Sequence, residues 1–255
     1  MIENMSKFQS ELSNYVVIDS PEFWPVWLML AGVIFVGMLG VLIIHFLLRA
    51  SFAKKGPAGE EHKIYLYSKA IRLWHWCNAL LFILLLCSGL LNHFALVSTS
   101  ASASLVGLHK ICGYLLIVCW LGFVCVNLFG GNGHHYRIKW QGWTDRAFKQ
   151  VKFYLVDIIK GADHPFPATQ ESKFNPLQQI AYLGVMFGLV PLLILTGLLS
   201  LNPEWLPGIR RWILTGHFVL AIAGLFFIAG HIYLCTTGRT TTQTFKSMID
   251  GYHRH

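Results

Sequence analysis

Apolar residues in this chain neither alternate nor recur at helical spacing within a polar background; they run on. Five stretches stand out, from about Phe23 to Leu48, Ile71 to Phe94, Leu105 to Phe129, Leu177 to Leu201 and Ile213 to Cys235. Each offers the roughly 20 apolar residues that a helix needs to cross about 30 Å of hydrocarbon. Lipid offers no partner to a bare peptide group, so a spanning segment of this kind must satisfy its backbone internally, as a helix does. The pattern predicts an all-α membrane protein with five transmembrane helices. Residues 1–22 form a polar N-terminal segment and residues 23–255 one integral-membrane domain. The link 130–174 is its sizeable soluble part. There, Gly130-Gly131-Asn132-Gly133 reads as a turn. Trp143 to Ile159 is expected to be helical, with Ala147, Val151, Tyr154, Leu155 and Ile158 on one face and basic residues elsewhere. Such a helix suits an anionic lipid surface or a docking partner equally.

Composition sharpens this. Of 255 residues, 55% are hydrophobic and 13% charged, which excludes an ordinary soluble globule. The net charge of +8 does not indicate nucleic acid, because the basic residues gather in the links. Arg49, Lys54, Lys55, Lys63, Lys69 and Arg72 follow the first span; Arg137, Lys139, Arg146, Lys149, Lys152, Lys160 and Lys173 follow the third; Arg239, Lys246 and Arg254 lie in the tail. Lys7, Lys110, Arg210 and Arg211 fall on the opposite side. Positive charge stays inside, so the N-terminus is expected in the periplasm and the C-terminus in the cytoplasm of a bacterial inner membrane. Trp24, Trp27, Trp74, Trp76, Trp205 and Trp212 near span ends read as interfacial anchors. The first twenty residues lack the basic, apolar and small-residue regions of a cleaved signal peptide. The six cysteines include no C-x-x-C and read as small hydrophobes.

Histidine supplies the candidate chemistry. His217 and His231 lie fourteen residues apart in one span, close to four turns, so both rings share a face about 21 Å apart along the axis. Imidazole within lipid is costly and usually functional. His75, near the inner start of the second span, matches His231 in depth; His109, near the outer start of the third, matches His217. Four histidines on three helices thus make two pairs, the arrangement by which facing helices hold b-type haem. An internal repeat supports the outer pair. Ser88-Gly89-Leu90-Leu91 precedes His109 as Thr196-Gly197-Leu198-Leu199 precedes His217, with the same offset. Gly113, Gly216, Gly224 and Gly230 near the histidines let a flat macrocycle approach, or simply let helices pack. His93 is the rival to His109; His45 has no evident mate and is expected to snorkel or meet a quinone. His62, His134, His135, His164, His253 and His255 lie in polar links or the tail, where solvation is the default.

Other residues are drawn in around these pairs. Arg72 near the inner pair, and Arg210 and Arg211 near the outer, are candidates for haem propionates. Lys173-Phe174-Asn175-Pro176-Leu177-Gln178 opens the fourth span. Asn175 before Pro176 is a helix N-cap signal. Lys173, Asn175 and Gln178 are also candidates for binding a quinone head group at the inner interface.

Trp74-His75-Trp76 opening a span, His109 opening the next, and His217 with His231 on the last resemble the dihaem cytochrome b subunits of respiratory molybdoenzymes and hydrogenases, of which the formate dehydrogenase gamma subunit is the type. The resemblance implies that iron is ligated by His75 with His231 and by His109 with His217, and that the Asn175 segment binds quinone, with Leu177 standing where that family has glycine. The first span is additional to the four-helix dihaem bundle of that family. With the ending Thr236 to Tyr252 it is most similar to thiosulfate reductase cytochrome b subunits.

The expectation is therefore a membrane anchor with two b haems. It oxidises menaquinol near the inner haem and passes electrons to a periplasmic iron–sulfur subunit and a molybdopterin catalytic subunit, with thiosulfate as the leading substrate of the complex. The terminal chemistry lies on the partner. A formate dehydrogenase or hydrogenase anchor reducing menaquinone is the same layout run backwards. A transporter with proton-relay or metal-binding histidines is the alternative of another class, weakened by the near absence of acidic residues from the spans. The purified protein should show a low-spin b-type absorption spectrum with about two haems per chain; intact protein without haem refutes this reading.

Overall fold

The computed structural model describes residues 25–52, 63–238 and 240–254. The polar segment 1–22, Phe23, Trp24, Lys54, Lys55, His62, Arg239 and His255 lie outside the described residues. The described chain is mostly helical. In order it forms α1 (Val26–Phe52), β1 (Lys63–Tyr65), α2 (Lys69–His93), α3 (Thr99–Phe129), α4 (Trp143–Lys152), α5 (Pro176–Leu201), α6 (Arg210–Cys235), α7 (Gln243–Asp250) and β2 (Tyr252–Arg254). Among these, α1, α2, α3, α5 and α6 are long and apolar enough to cross a bilayer. They coincide with the five predicted stretches. The first helix runs on past Leu48 and takes in Arg49, a residue the charge pattern assigns to the link.

Exposure is inverted relative to a soluble protein. Val33, Val36 and Phe129 are exposed, while Ser88, Asn92, His93 and Ser102 are buried. Lipid is as good a solvent as a core for leucine or valine, so burial falls to the groups that lipid cannot satisfy.

The described residues divide between two compact units. The first comprises residues 25–32, Trp76–Phe123 and Met186–Leu225. Here α2 ends in a tight reversal: the Ala95 amide donates to Asn92 O at 3.1 Å and that of Leu96 to Leu91 O at 3.0 Å. Ala95 takes the left-handed turn at φ 49°, a place usually given to glycine. Ser102 Oγ then donates to Asn92 Oδ1 at 2.6 Å, tying α3 to the end of α2. α5 is not uniformly α-helical, for residues Gly184–Leu189 are wound as a π-helix ahead of Pro191. In that register the Met186 carbonyl faces residue 191, and proline has no N–H to offer. The indole of Trp120 fills the gap, donating to Met186 O at 2.7 Å.

The second unit comprises the described residues 33–52, 63–75, 124–185, 226–238 and 240–254. Residues 130–133 turn as expected, and the helix predicted from Trp143 to Ile159 is α-helical only to Lys152, continuing as a π-helical turn over Phe153–Asp157. The tail is more ordered than its polarity implies. β2 pairs antiparallel with β1, Ile64 opposite His253, so His253 is half-buried in a strand rather than solvated. Gly251 closes this joint at φ +91°, where a Cβ would lie 2.6 Å from the Tyr65 ring and from Tyr67 O. The Arg72 guanidinium donates to Ile249 O, and Arg254 pairs with Asp250.

Replacing Trp120 by Phe keeps most of the aromatic bulk but strands the Met186 carbonyl in apolar surroundings, at a cost of about 1–3 kcal/mol. The melting temperature in detergent should fall; an unchanged value would mean that the carbonyl finds another donor.

Candidate functional site

Four helices build a site in the first unit. His109 stands on α3 and His217 on α6, their ring centres 6.3 Å apart and their planes at 72°. Behind each ring is a hydroxyl from another helix: Ser88 Oγ on α2 lies 2.8 Å from His109 Nδ1, and Thr196 Oγ1 on α5 lies 2.8 Å from His217 Nδ1. The glycine after each hydroxyl residue faces the same imidazole. A Cβ on Gly89 would sit 3.4 Å from His109 Cε1, and one on Gly197 3.5 Å from His217 Cε1. The sequence repeat is thus a structural one, with Ser88-Gly89 and Thr196-Gly197 as cradles. A cavity of about 220 Å³ opens here, lined by both histidines, largely apolar side chains, Lys110 and His93. His93 does not join the pair. It is buried and stacked on Phe218, centres 3.6 Å apart at 14°.

The second unit holds the other pair. His75 on α2 and His231 on α6 have ring centres 6.2 Å apart, planes at 53°. Phe227 lies nearly parallel to His231 at 5.6 Å, and Tyr182 stands edge-on at 6.2 Å. His45 finds a mate that its sequence context does not reveal, a hydrogen bond with the Tyr233 hydroxyl. Arg49, one turn on, is buried and donates to Thr236 O and Oγ1 just beyond the C-terminus of α6. That end carries unpaired carbonyls and partial negative charge, which a guanidinium satisfies.

Both pair separations fit one iron. An imidazole nitrogen lies about 1.2 Å from its ring centre and imidazole–metal bonds are about 2 Å, so two rings clamping an ion stand roughly 6.4 Å apart. Stacked rings, as at His93 and Phe218, are far closer. Among the described residues no group of three or more His, Cys, Asp or Glu side chains converges on a metal position. Two imidazoles per site suit a metal whose remaining ligands come from a macrocycle.

The polar candidates fare differently. Asn175 is buried, and its Oδ1 caps α5 by accepting from Leu177 N at 3.1 Å and Gln178 N at 3.0 Å. Gln178 Oε1 closes the capping box on Asn175 N at 3.1 Å. The amide nitrogen of Asn175 donates to Tyr154 Oη at 2.9 Å. Tyr154 is the neighbour that sequence reasoning missed; its place on the apolar face of the link helix was the available signal. Burial raises its pKa, which the Asn175 hydrogen bond opposes, and burial lowers that of Lys173. Gln179 Nε2 donates to His135 O at 3.0 Å. Of the propionate candidates, Arg72 is engaged with Ile249 O, Arg210 lines a small hollow with Ser200 and Asn202, and Arg211 is exposed.

Two link histidines are not solvated. His164 Nδ1 accepts from Phe166 N at 3.1 Å, and its Nε2 faces the buried Gln150 amide at 3.3 Å. His135 is buried, and desolvation, then the positive charges of Lys173 and His134, lower its pKa to about 4.

The comparisons with known proteins agree with this chemistry. A family model described as prokaryotic cytochrome b561 matches residues 66–251. The chain is 62% identical to the protein named "Putative cytochrome YdhU" of Escherichia coli (strain K12), over 257 aligned positions covering 99% of this chain and 98% of that protein. No solved structure matches it.

The sign of the His135 shift sets a pH dependence. Folding holds this imidazole neutral while the unfolded chain protonates near the ordinary value of 6.5, so stability is complete above that value and declines as pH falls towards about 4. Hydrogen exchange in residues 130–174 should rise over that window, and His135→Gln should flatten the rise; an unaltered profile in the variant would contradict the assignment.

Proposed function

The chain belongs to the prokaryotic cytochrome b561 family, and on that premise we propose that it is a dihaem membrane anchor exchanging electrons between menaquinol and an extracytoplasmic iron–sulfur partner. Family membership makes it a multi-pass cytochrome b with b-type haem; the number of haems, their ligands, the quinone and the partner are the proposal. The carrying observation is the near-equal separation of the two imidazole pairs, 6.2 and 6.3 Å, in two separate units. His75 with His231 would hold the inner haem and His109 with His217 the outer. When bound, each haem supplies a one-electron carrier.

The residues of the chain do the rest. Four neutral imidazoles on three helices would hold the axial positions, with the Gly89 and Gly197 backbones close against His109 and His217. Arg210 and Arg211 suit propionates at one membrane face and Arg72 at the other. At the opening of α5, the half-buried phenol of Tyr154, its pKa raised by desolvation, would stay protonated and offer a donor to a quinone oxygen. Lys173 adds a cation there, and Asn175 and Gln178 set the geometry of the wall through their capping box. The thiosulfate reductase reading, with a molybdopterin catalytic subunit as further partner, rests on the extra helix α1 and the chain ending. Formate dehydrogenase and hydrogenase complexes would use the same anchor. Membership of a cytochrome family sets the transporter reading aside.

His231→Ala and His217→Ala should each deplete haem in folded, membrane-inserted protein, and unchanged haem content in either refutes that ligand. Asn175→Ala should weaken binding of a quinol-site inhibitor by about tenfold, or roughly 1.4 kcal/mol. Unaltered inhibitor affinity at normal haem content removes the quinone site from this position.

A further inference from the structure

We propose that Ser88 and Thr196 are positioning residues that fix the protonation face of His109 and His217 and thereby set the reduction potential of the haem these ligands would hold. The proposal rests on the ligand assignment above.

The hydrogen bonds leave one consistent proton assignment. Each hydroxyl has a single proton. Ser88 Oγ lies 2.6 Å from Leu84 O, and Thr196 Oγ1 lies 2.7 Å from Leu192 O. A carbonyl can only accept, so each hydroxyl proton points back along its own helix, the usual arrangement for serine and threonine in a helix. What the hydroxyl presents to the imidazole 2.8 Å away is therefore a lone pair. Nδ1 of His109 and of His217 must carry the ring proton. A neutral imidazole has one N–H, so Nε2 of both rings keeps a free lone pair. The two rings are set as Nε2 ligands before any metal arrives.

Back-bonding alone accounts for a hydroxyl tied to its own helix. It does not account for two hydroxyls, each twenty-one residues before its histidine, aimed at Nδ1 at one distance from two different helices. At the same offset before His231 the chain has Arg210 and no hydroxyl residue. An imidazole that donates through Nδ1 becomes a stronger electron donor through Nε2. The hydroxyl oxygen is polarised further by its own donation to a carbonyl. Both effects favour the oxidised iron, so the His109–His217 haem should have its potential lowered by these residues, and the His75–His231 haem should be untouched by them.

The test uses the full-length, haem-loaded protein in detergent. Redox titration of the b-type absorption bands and haem content per chain are compared for Ser88→Ala, Thr196→Ala, the double variant, and the conservative Ser88→Thr and Thr196→Ser. Each alanine variant should raise one of two midpoint potentials and leave the other in place. A tenfold change in the reduction equilibrium would appear as about 59 mV for one electron. The conservative variants should titrate as the parent does. Normal haem content with both potentials unmoved in the alanine variants overturns the proposal. If alanine costs the haem itself, the conservative variants decide: retention at the parent potential supports the role of the hydroxyl, and loss there too overturns it. His109→Ala separates the underlying assignment, because unchanged haem content and potentials in that variant would refute the ligand and not the hydroxyl.

Discussion

An imidazole surrounded by hydrocarbon has to be given something to bind, and the molecule is organised around that demand. His109 faces His217 at 6.3 Å and His75 faces His231 at 6.2 Å. These gaps are too wide for stacking and suit a single ion bound by both rings. α6 carries one member of each pair. Its partners come from α2 and α3, so three helices are held to particular rotations about their own axes. The cradles on α2 and α5 then follow, because an imidazole with a free Nε2 must place its Nδ1 proton on an acceptor.

The rest of the polar inventory obeys the same rule. The carbonyl left without a donor by Pro191 takes the Trp120 indole, and the carbonyl end of α6 takes Arg49. Asn92 takes Ser102. Interhelical hydrogen bonds in lipid are individually modest, about 0.6 kcal/mol on average, so none of them is a large stabiliser. Their effect is on specificity, since each leaves a buried polar group unsatisfied in any other register. Helix α1, which precedes the matched family region, is attached in this way: His45 to Tyr233 and Arg49 to Thr236 in one unit, with Phe35 edge-on to Phe226 at 5.1 Å. Trp27 meets Phe218 at 6.0 Å in the other.

In the proposed anchor, electron movement would be coupled to the membrane potential. A charge carried across the full thickness against the potential costs about 2.3 kcal/mol per 100 mV. In the proposed dihaem reading the relative potentials of the two centres would matter, and the hydroxyls behind His109 and His217 would be one means of tuning one of them. At the opening of α5, a capping box and one phenol contact hold Asn175, Gln178 and Tyr154 together.

What the chain determined alone is what depends on length, local spacing and residue type. Five apolar runs had to be helices because lipid allows little else. Asn175-Pro176 had to start one because capping is a matter of three or four consecutive residues. The repeat of Ser88-Gly89 and Thr196-Gly197 was legible as a repeat. Its chemistry was not, because nothing in the spacing says that both hydroxyls aim at Nδ1. Tertiary structure alone decided the long-range partnerships: His45 with Tyr233, Arg49 with Thr236, Tyr154 with Asn175, and β1 with β2. It also buried one link histidine, His135, and engaged another, His164, in hydrogen bonds where solvation was the expectation. The reason is physical. A helix's own sequence sets which residues share a face, but the rotation of that face and the side chain that meets it are set by other helices, up to 188 residues away along the chain.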